Sequence, residues 1–469
     1  MLISKFCFLF FIAGCFLLPG TTFGQSVVVD KIEIYGLKRT REMIVHRELT
    51  FEVGDSLVQT DLGVIIERNQ NNLLNLGIFN EAEINVSEWN TETHRIEIVV
   101  EVRESWYIYA VPILDIADRN FNVWWTEHNH SLSRLNLGGR LDFLNFTGRN
   151  DKLKAQIQVG YTSKQEIEYR FPYFNREQSL GLTMGFLHTG NKEVNYNSAF
   201  NKDLFIKIDE RQLFEKYRGK VKIQFRPTHY LRQELELTYE TMKVDEEVVR
   251  DYNPRYFRNG ETKSSSLIAR YAYEYDDRDL RIFPTDGVKG VFEIEKIGWG
   301  KNDDENQLTS AISMEWNNSI NNKFLHRISA IGRYSLSRSQ PSYDRYGALG
   351  SGQKFVRGFE LYVIDGLDFL LGKYQVSYKL VDTDFNFKRL VPIDEFRKMA
   401  VKMYLSLHLE SGFVNDPFTA ETNPLANRLL MGTGVGLNVL LYNNFLIQFN
   451  VNRNDLGEVG FFIHNQTSF

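Results

Sequence analysis

The chain has 469 residues, enough for two or three domains, and 14% of them are aromatic. Its formal net charge of −5 gives no reason to expect a nucleic-acid ligand. After the N-terminal residues no apolar run is long enough to cross a membrane as a helix, so the composition fits a soluble β-protein or a transmembrane β-barrel.

The first residues predict a secretory signal peptide over residues 1–24. Lys5 provides the positive charge, residues 6–18 form the apolar core, and residues 22–24 complete a cleavage site. Lipidation is the alternative, since the segment ending at Cys15 resembles a lipobox. The chain has 2 cysteines and both lie here, so the remainder is expected to hold no disulfide and no thiolate metal site.

Residues 25–104 predict a small α+β domain with the element order β-α-α-β-β. Apolar residues alternate where strands are expected and recur at helical spacing in between. The predicted elements are a strand over 29–36, helices from Thr40 to Leu49 and from Asp61 to Leu76, and strands over 82–88 and 94–102.

Residues 105–469 show strand periodicity, and no helix is expected after Trp106. In residues 402–410, for example, Ser406, His408 and Glu410 alternate with leucines. A soluble sandwich would show the same alternation, but the signal peptide, the strand lengths of about ten residues and the aromatic content favour a membrane barrel. Segmentation gives seventeen candidate strands for about sixteen places, and the weakest, near residue 199, is assigned to a loop.

Several segments of the small domain resemble a POTRA domain. They are Ile34-Tyr35-Gly36-Leu37-Lys38-Arg39-Thr40, Arg47-Glu48-Leu49, Gly54-Asp55 and Leu74-Asn75-Leu76-Gly77-Ile78-Phe79. Such domains handle polypeptides in the periplasm, partly by offering a strand edge for β-augmentation. One POTRA domain fits before the strand-rich region begins.

Two further features resemble the BamA/TamA-type family of outer-membrane assembly barrels. The first is a charged turn with Asp276, Arg278, Asp279, Pro284 and Gly287, expected as a wet periplasmic hairpin. The second is the run Val356-Arg357-Gly358-Phe359, which follows the eleventh predicted strand. Phe171-Pro172-Tyr173-Phe174 and Gly432-Thr433-Gly434-Val435-Gly436-Leu437 add to the resemblance.

The resemblance implies that Arg357 lies in the barrel lumen and pairs with Glu410. Alternation independently places Glu410 on the lumenal face. Lys379 stands where the family usually has a second acidic residue, and it is expected to compete for Glu410. Asn465 and Thr467 occupy apolar positions of the family's closing strand, so this end is expected to be frayed or to pair weakly with the first strand.

The expected fold is thus a transmembrane barrel of about sixteen antiparallel strands (105–469) behind one POTRA domain (25–104), in the outer membrane of a Gram-negative bacterium. The resemblance implies an insertase or translocation factor for unfolded outer-membrane proteins. A dedicated secretion or surface-export channel and a passive porin are the alternatives. The lipid bilayer, periplasmic chaperones and outer-membrane lipoproteins are the expected partners. No catalytic residue, cofactor or metal site is expected.

Overall fold

The computed structural model describes residues 25–117, 121–126, 128–208, 211–299, 303, 305–321, 323–350, 354–387 and 396–467. The predicted signal peptide and Cys15 lie outside these residues.

The small domain is a four-stranded sheet covered by two helices. Its elements are β1 (Ser26–Tyr35), α1 (Glu42–Glu48), β2 (Ser56–Val58), α2 (Leu62–Leu74), β3 (Phe79–Asn90) and β4 (Arg95–Glu104). The sheet order is β2-β1-β4-β3, with β1 and β4 parallel. The short strand β2 was not predicted. Thr40 does not cap the first helix, because Arg41 occupies the N-cap position and makes no side-chain cap.

The core of this domain lies between α2 and the sheet. Ile96, Ile98 and Val100 of β4 are fully buried, as their alternation predicted. The buried Asn69 of α2 is satisfied, because its amide oxygen accepts the Thr50 N–H at 2.6 Å and its NH₂ donates to the Ile65 carbonyl at 2.6 Å. A buried amide so bonded holds the α1–α2 connection without an unpaired polar group.

The rest of the chain builds one antiparallel sheet of 16 strands, which confirms the predicted fold class. The strands are β5 (Ile108–Ile116), β6 (Leu135–Leu144), β7 (Lys152–Gly160), β8 (Thr162–Phe171), β9 (Leu180–Asn191), β12 (Phe214–Phe225), β13 (Leu231–Val244), β14 (Lys263–Asp276), β15 (Gly287–Ile297), β16 (Gln307–Ile320), β17 (Phe324–Ser335), β20 (Asp368–Asn386), β21 (Lys398–Asn415), β22 (Leu429–Leu441), β23 (Phe445–Asn454) and β24 (Val459–Thr467). Consecutive members pair in order from β5 to β24.

The remaining elements lie in the connections. They include the hairpin β10 (Glu193–Ala199) and β11 (Lys202–Lys207), the short pair β18 (Gly347–Leu349) and β19 (Ile364–Asp365), the helix α3 (Phe121–Thr126) and a π-helix (Val248–Tyr252). The candidate strand near residue 199 therefore belongs to a separate two-stranded sheet. The expectation of no helix after Trp106 is wrong, since α3 forms a turn and a half in the first long connection.

Strand alternation separates the two faces of the barrel wall. On β21, Leu405, Leu407 and Leu409 are exposed on the outside, whereas Ser406, His408 and Glu410 are buried inside. An apolar exterior and a polar interior are what a barrel in lipid requires. None of the described helices is both long and apolar enough to cross a bilayer.

The small domain joins β5 directly, which defines a near end of the barrel, and the connection β17–β20 lies at the far end. The hairpin β10–β11 reaches across the far end: Asn201 donates to the carbonyl of Val363 at 3.0 Å, and Lys202 donates to that of Leu361 at 3.0 Å. The far mouth is thus covered by interlocked loops.

Candidate functional site

The loop between β17 and β20 folds back against the barrel wall. Val356 and Phe359 are buried and pack with Leu371, Val414 and Leu430 from three neighbouring strands. Two apolar side chains flanking Arg357 therefore fix the loop beside β21 and β22. Residues 351–353 of the glycine-rich segment lie outside the described residues.

Arg357 is held by Glu410 through its backbone and its side chain. The Arg357 N–H donates to one carboxylate oxygen of Glu410 at 2.9 Å, and Nε donates to the other at 2.9 Å. Nη1 donates to Asn450 Oδ1 at 2.8 Å. The side chains of Arg357 and Glu410 are only 11% and 3% exposed, so this charge-assisted pair is well shielded. The sequence placed both residues in the lumen, and the structure brings them together.

Glycines allow the loop to lie this close to the wall. Gly358 has φ +88°, and a Cβ there would lie 2.8 Å from the backbone of Arg453 and Asn454. A Cβ on Gly432 would lie 1.8 Å from the Arg357 carbonyl oxygen. Both positions therefore require glycine. Gly358 needs it for its positive φ and for the close approach to β23, and Gly432 needs it only for the close approach to the Arg357 carbonyl.

Lys379 does not compete for Glu410, so that expectation is wrong. Lys379 pairs across the sheet with Tyr404, six residues from Glu410 along β21, and its Nζ lies 3.2 Å from Asp382. The cation opposite Glu410 is Lys373, whose Nζ lies 3.4 Å from the carboxylate. Glu410 thus forms ion pairs with two cations, Arg357 and Lys373.

The charged turn between β14 and β15 is built around two carboxylates. Arg278 donates to both oxygens of Asp276, at 2.7 and 3.0 Å, and to Glu315 at 3.0 Å. Asp279 accepts the N–H of Thr285 at 2.8 Å and closes the loop. Gly287 has φ +102°, and a Cβ there would lie 2.7 Å from Arg278 Cα.

Only the charged part of this turn is wet, as its charges suggested, whereas its apolar part is buried. Ile282 and Phe283 are buried, and the Phe283 ring stacks on Tyr404 of β21 with centroids 4.5 Å apart. The Pro284 carbonyl accepts Arg327 Nη2 at 3.4 Å. The turn therefore folds inward over the near mouth and rests on the wall at β21, four strands from β15. Charged residues around Ile282 and Phe283 hid this apolar insertion in the sequence.

A cavity of about 390 Å³ lies between the turn and the anchored loop. Its cationic lining residues are Arg278, Arg281, Lys289, Arg327, Arg357 and Lys373, and its carboxylates are Glu315 and Glu410. The two features that carried the resemblance thus bound one water-accessible, mainly cationic space. Among the described residues, no group of three or more His, Cys, Asp or Glu is arranged to hold a metal.

The small domain docks on the near end through a buried ion pair that the sequence did not reveal. Glu48 of α1 accepts Nη1 and Nη2 of Arg226, in the β12–β13 turn, at 2.6 and 2.7 Å. Arg226 also donates to the Tyr173 hydroxyl at 2.7 Å. Burial opposes ionisation of Glu48, but the Arg226 charge outweighs it and lowers the Glu48 pKa to about 2. Burial likewise opposes the Arg226 charge, yet Glu48 leaves the pKa of Arg226 raised.

Further contacts tie the domain to neighbouring turns. Asn75 after α2 donates to the Asp279 carbonyl at 2.7 Å and accepts the Arg281 N–H at 2.9 Å. Asn145 in the β6–β7 turn donates to the Thr40 hydroxyl at 2.8 Å. Because these partners lie on several turns, the domain spans part of the near mouth and touches the charged turn directly.

The sheet has a seam between its first and last strands. β24 pairs with β23 as far as Phe445↔Thr467, so the predicted fraying is wrong on that side. In the described residues, β5 pairs with β6 alone and β24 with β23 alone. Weak pairing between the first and last strands was the other predicted outcome, and the structure has this arrangement. Helix α3 lies beside β24.

The lumenal wall differs between its two halves. From β7 to β15 it carries ion pairs across neighbouring strands, such as Lys154–Glu166 at 3.0 Å, Lys222–Glu234 at 3.1 Å and Arg232–Glu274 at 3.2 Å. From β21 to β23 it is mostly neutral. There Asn438 donates to Ser406 at 2.5 Å and accepts from Gln448 at 2.7 Å.

Comparison with known families agrees with this architecture. A family model described as "Omp85 superfamily domain" matches residues 145–369, and one described as POTRA, "Surface antigen variable number repeat", matches residues 27–105. The chain belongs to the Omp85 superfamily. The expected combination of a POTRA domain with a barrel of this superfamily is confirmed. An Omp85 barrel with a POTRA domain lies in the Gram-negative outer membrane with that domain in the periplasm, so the near end is periplasmic and the far end extracellular.

Solved structures of similar fold include BamA from Haemophilus ducreyi lacking POTRA domains 1–3, at 14% identity and TM-score 0.53, covering 94% of this chain and 84% of that chain. CdiB from Escherichia coli is similar at 11% identity and TM-score 0.49, covering 95% and 91%. CdiB from Acinetobacter baumannii is similar at 13% identity and TM-score 0.48, covering 94% and 74%. No curated protein sequence matches the chain. Omp85 membership sets the general role as insertase or secretion transporter.

Proposed function

We propose that this Omp85 protein is an outer-membrane protein insertase. Its POTRA domain receives unfolded clients, and the edges of β5 and β24 at the seam template their strands. The observation that carries the proposal is the seam, where neither terminal strand has a second partner in the part of the chain that the structure describes. Unpaired backbone groups are costly in lipid, so an edge there favours pairing with an incoming strand.

The placement of the POTRA domain supports the same role. Its last strand, β4, ends at Glu104, four residues before β5 begins at Ile108. A client held at the POTRA domain is therefore delivered beside the first strand of the seam. The Glu48–Arg226 pair keeps the domain in that position.

A dedicated export channel or a porin would conduct through the lumen instead. In this structure the Arg357 loop, the β10–β11 hairpin and the inward-folded turn occupy that route. An insertase that works at its seam has no need of an open lumen. This occupancy therefore favours the insertase over a passive pore.

Reconstitution tests the proposal. The full chain in phosphatidylethanolamine–phosphatidylglycerol vesicles is expected to accelerate folding of an unfolded eight-stranded outer-membrane protein, read as its heat-modifiable band. Residues 25–469 contain no cysteine, so Ala110→Cys with Asn465→Cys gives a single pair across the seam. Linking this pair with a short bis-maleimide should abolish the acceleration, whereas each single variant treated alike should retain it. Acceleration that survives complete crosslinking, or no acceleration over empty vesicles, would refute the insertase.

A further inference from the structure

Strands β20 and β21 continue past their neighbours into the periplasm. Pairing of β17 with β20 ends at Phe324↔Tyr378, and pairing of β22 with β21 ends at Leu441↔Val401. β20 and β21 remain paired with each other as far as Asn386↔Lys398. Residues 380–386 and 398–400 therefore form a two-stranded projection, here called the periplasmic ribbon. Only its tip, residues 384–386 paired with 398–400, lies beyond both neighbouring strands, by roughly 10 Å.

The ribbon is amphipathic. A bulge between Lys379 and Val381 resets the alternation, so that Val381 pairs with Met403 and Phe385 with Met399. Val381 and Phe385 are 36% and 49% exposed. Met399 and Met403 lie at the same alternation as Leu405 on β21, so this apolar face continues the lipid-facing surface of the barrel.

The opposite face of the ribbon is polar and touches the POTRA domain. Lys398 lies 2.9 Å from Glu81 of β3 and 3.5 Å from Asp384. This ion pair fixes which way the ribbon faces. Its apolar face consequently points away from the POTRA domain.

The β20 side of the ribbon is an open strand edge. Tyr442 N–H donates to the Ala400 carbonyl at 2.9 Å, so Ala400 directs its backbone away from β20. Asp384 lies opposite Ala400 in this antiparallel pair, and its N–H and C=O therefore point away from β21. Asp382, two residues away, has the same orientation. Between Tyr378 and Phe385, β20 has no second partner strand in any part of the chain that the structure describes.

We propose that this edge is a docking site for an extended segment of an unfolded outer-membrane protein, which adds as a strand beside β20. The inference rests on the proposed insertase function and names a second place where the client is held. Backbone bonds at the edge suit any sequence, while Val381 and Phe385 receive alternate apolar side chains. A segment so bound already turns its apolar side chains to the same side as the lipid-facing leucines of β21.

Acidic side chains define the client chemistry more closely. Charges on an exposed edge normally oppose sheet-to-sheet aggregation. Asp382 and Asp384 already pair with Lys379 and Lys398, so the polar face of this edge is charge-balanced and suits neutral polar residues at the facing positions of a client. The site therefore suits reversible docking of a strand with apolar residues on one face and neutral polar residues on the other.

Paired variants at one position test the edge. Asp384→Pro removes the outward N–H and leaves the bonds inside the ribbon, whereas Asp384→Ala removes the same carboxylate but keeps the N–H. In the vesicle assay, Asp384→Pro is expected to slow client insertion about fivefold or more relative to Asp384→Ala. The heat-modifiable band of each variant verifies that its own barrel has folded.

Photocrosslinking gives an independent readout. A photoreactive residue at Val381 should crosslink the unfolded eight-stranded client, and one at the exposed Glu92 of the POTRA domain should not. Equal insertion rates for Asp384→Pro and Asp384→Ala, or no client crosslink at Val381, would overturn the ribbon proposal. If the wild-type protein still inserts the client, the insertase proposal is unaffected by that result. The crosslink at Val381 reports client binding and does not require insertion. It therefore tests the ribbon proposal even if the vesicle assay shows no insertion.

Discussion

The pairing of Arg357 with Glu410 can be dissected because the two partners are bonded unequally. Arg357→Ala removes the side-chain bonds to Glu410 and Asn450 but keeps the backbone N–H that donates to Glu410. Glu410 then still has Lys373 at 3.4 Å. Glu410→Ala instead leaves Arg357 and Lys373 facing each other without their shared carboxylate.

The structure therefore predicts an order of costs. A charge-assisted hydrogen bond contributes about 1.5–3 kcal/mol, so Arg357→Ala should destabilise by about 2 kcal/mol. Removing one partner of a buried pair costs about 3–5 kcal/mol, and Glu410→Ala should lie near the lower end because the lumen admits water. Adding Arg357→Ala to Glu410→Ala should be neutral or stabilising, since it relieves the repulsion from Lys373. The coupling energy should then be about 2 kcal/mol.

Urea unfolding in lipid–detergent micelles, followed by tryptophan fluorescence and the heat-modifiable band, measures these energies. Tryptic cleavage at Lys354 reports release of the loop. Lys379→Ala is the matched control, because this cation is on the same strand as Lys373 but contacts Asp382. It should change stability by less than about 0.5 kcal/mol. Additive effects of Arg357→Ala and Glu410→Ala, or a larger cost for Arg357→Ala, would refute the reasoning.

Three further predictions concern the periplasmic end and the loop. The Glu48 pKa is depressed to about 2, so its contribution to POTRA docking, on the order of 3 kcal/mol, is present above about pH 4.5 and lost as pH falls toward 2. Fluorescence transfer between dyes on the POTRA domain and the Arg226 turn should follow this pH profile, and the profile should flatten in Glu48→Gln. A pH profile unchanged by that substitution contradicts the role of the Glu48–Arg226 pair in docking. Phe283→Ala should lower the free energy of unfolding by about 3–4 kcal/mol and raise single-channel conductance, because the inward-folded turn would no longer cover the near mouth. Unchanged conductance would show that another segment blocks the lumen. Gly358→Ala should destabilise by about 2 kcal/mol and expose the loop to trypsin, whereas a protected loop would show that the backbone can move aside.

Local pattern predicted the barrel well because each strand alternates on its own. The lumenal position of Glu410 followed from the leucines around it, without knowledge of any other strand. Alternation within a single strand does not determine the register between neighbouring strands. The sequence could not show that Lys373, and not Lys379, stands opposite Glu410, because this depends on how β20 and β21 align across their periplasmic connection.

Long-range contacts of the POTRA domain were also hidden. Glu48 and Arg226 are 178 residues apart, and neither stands out from the other surface charges of its segment. Phe283 resembled a loop residue because Arg278, Arg281 and Asp286 surround it. Such pairings are fixed by the closure of the barrel, which brings remote turns together, and no local periodicity encodes them.

The contrast between the two halves of the lumenal wall bears on how the protein can move. A strand pulled from the ionic half leaves a charge without its counterion, and that cost falls as salt screens it. Amide and hydroxyl groups such as those of Asn438, Ser406 and Gln448 can exchange one neutral partner for another, or for water, with little change in free energy. Outside the contacts of Arg357 and Lys373 with Glu410, the half next to β24 is therefore the more easily deformed one, and motion of that part should be insensitive to ionic strength. We expect the ionic half to stay fixed while the strands nearest β24 move relative to it and return.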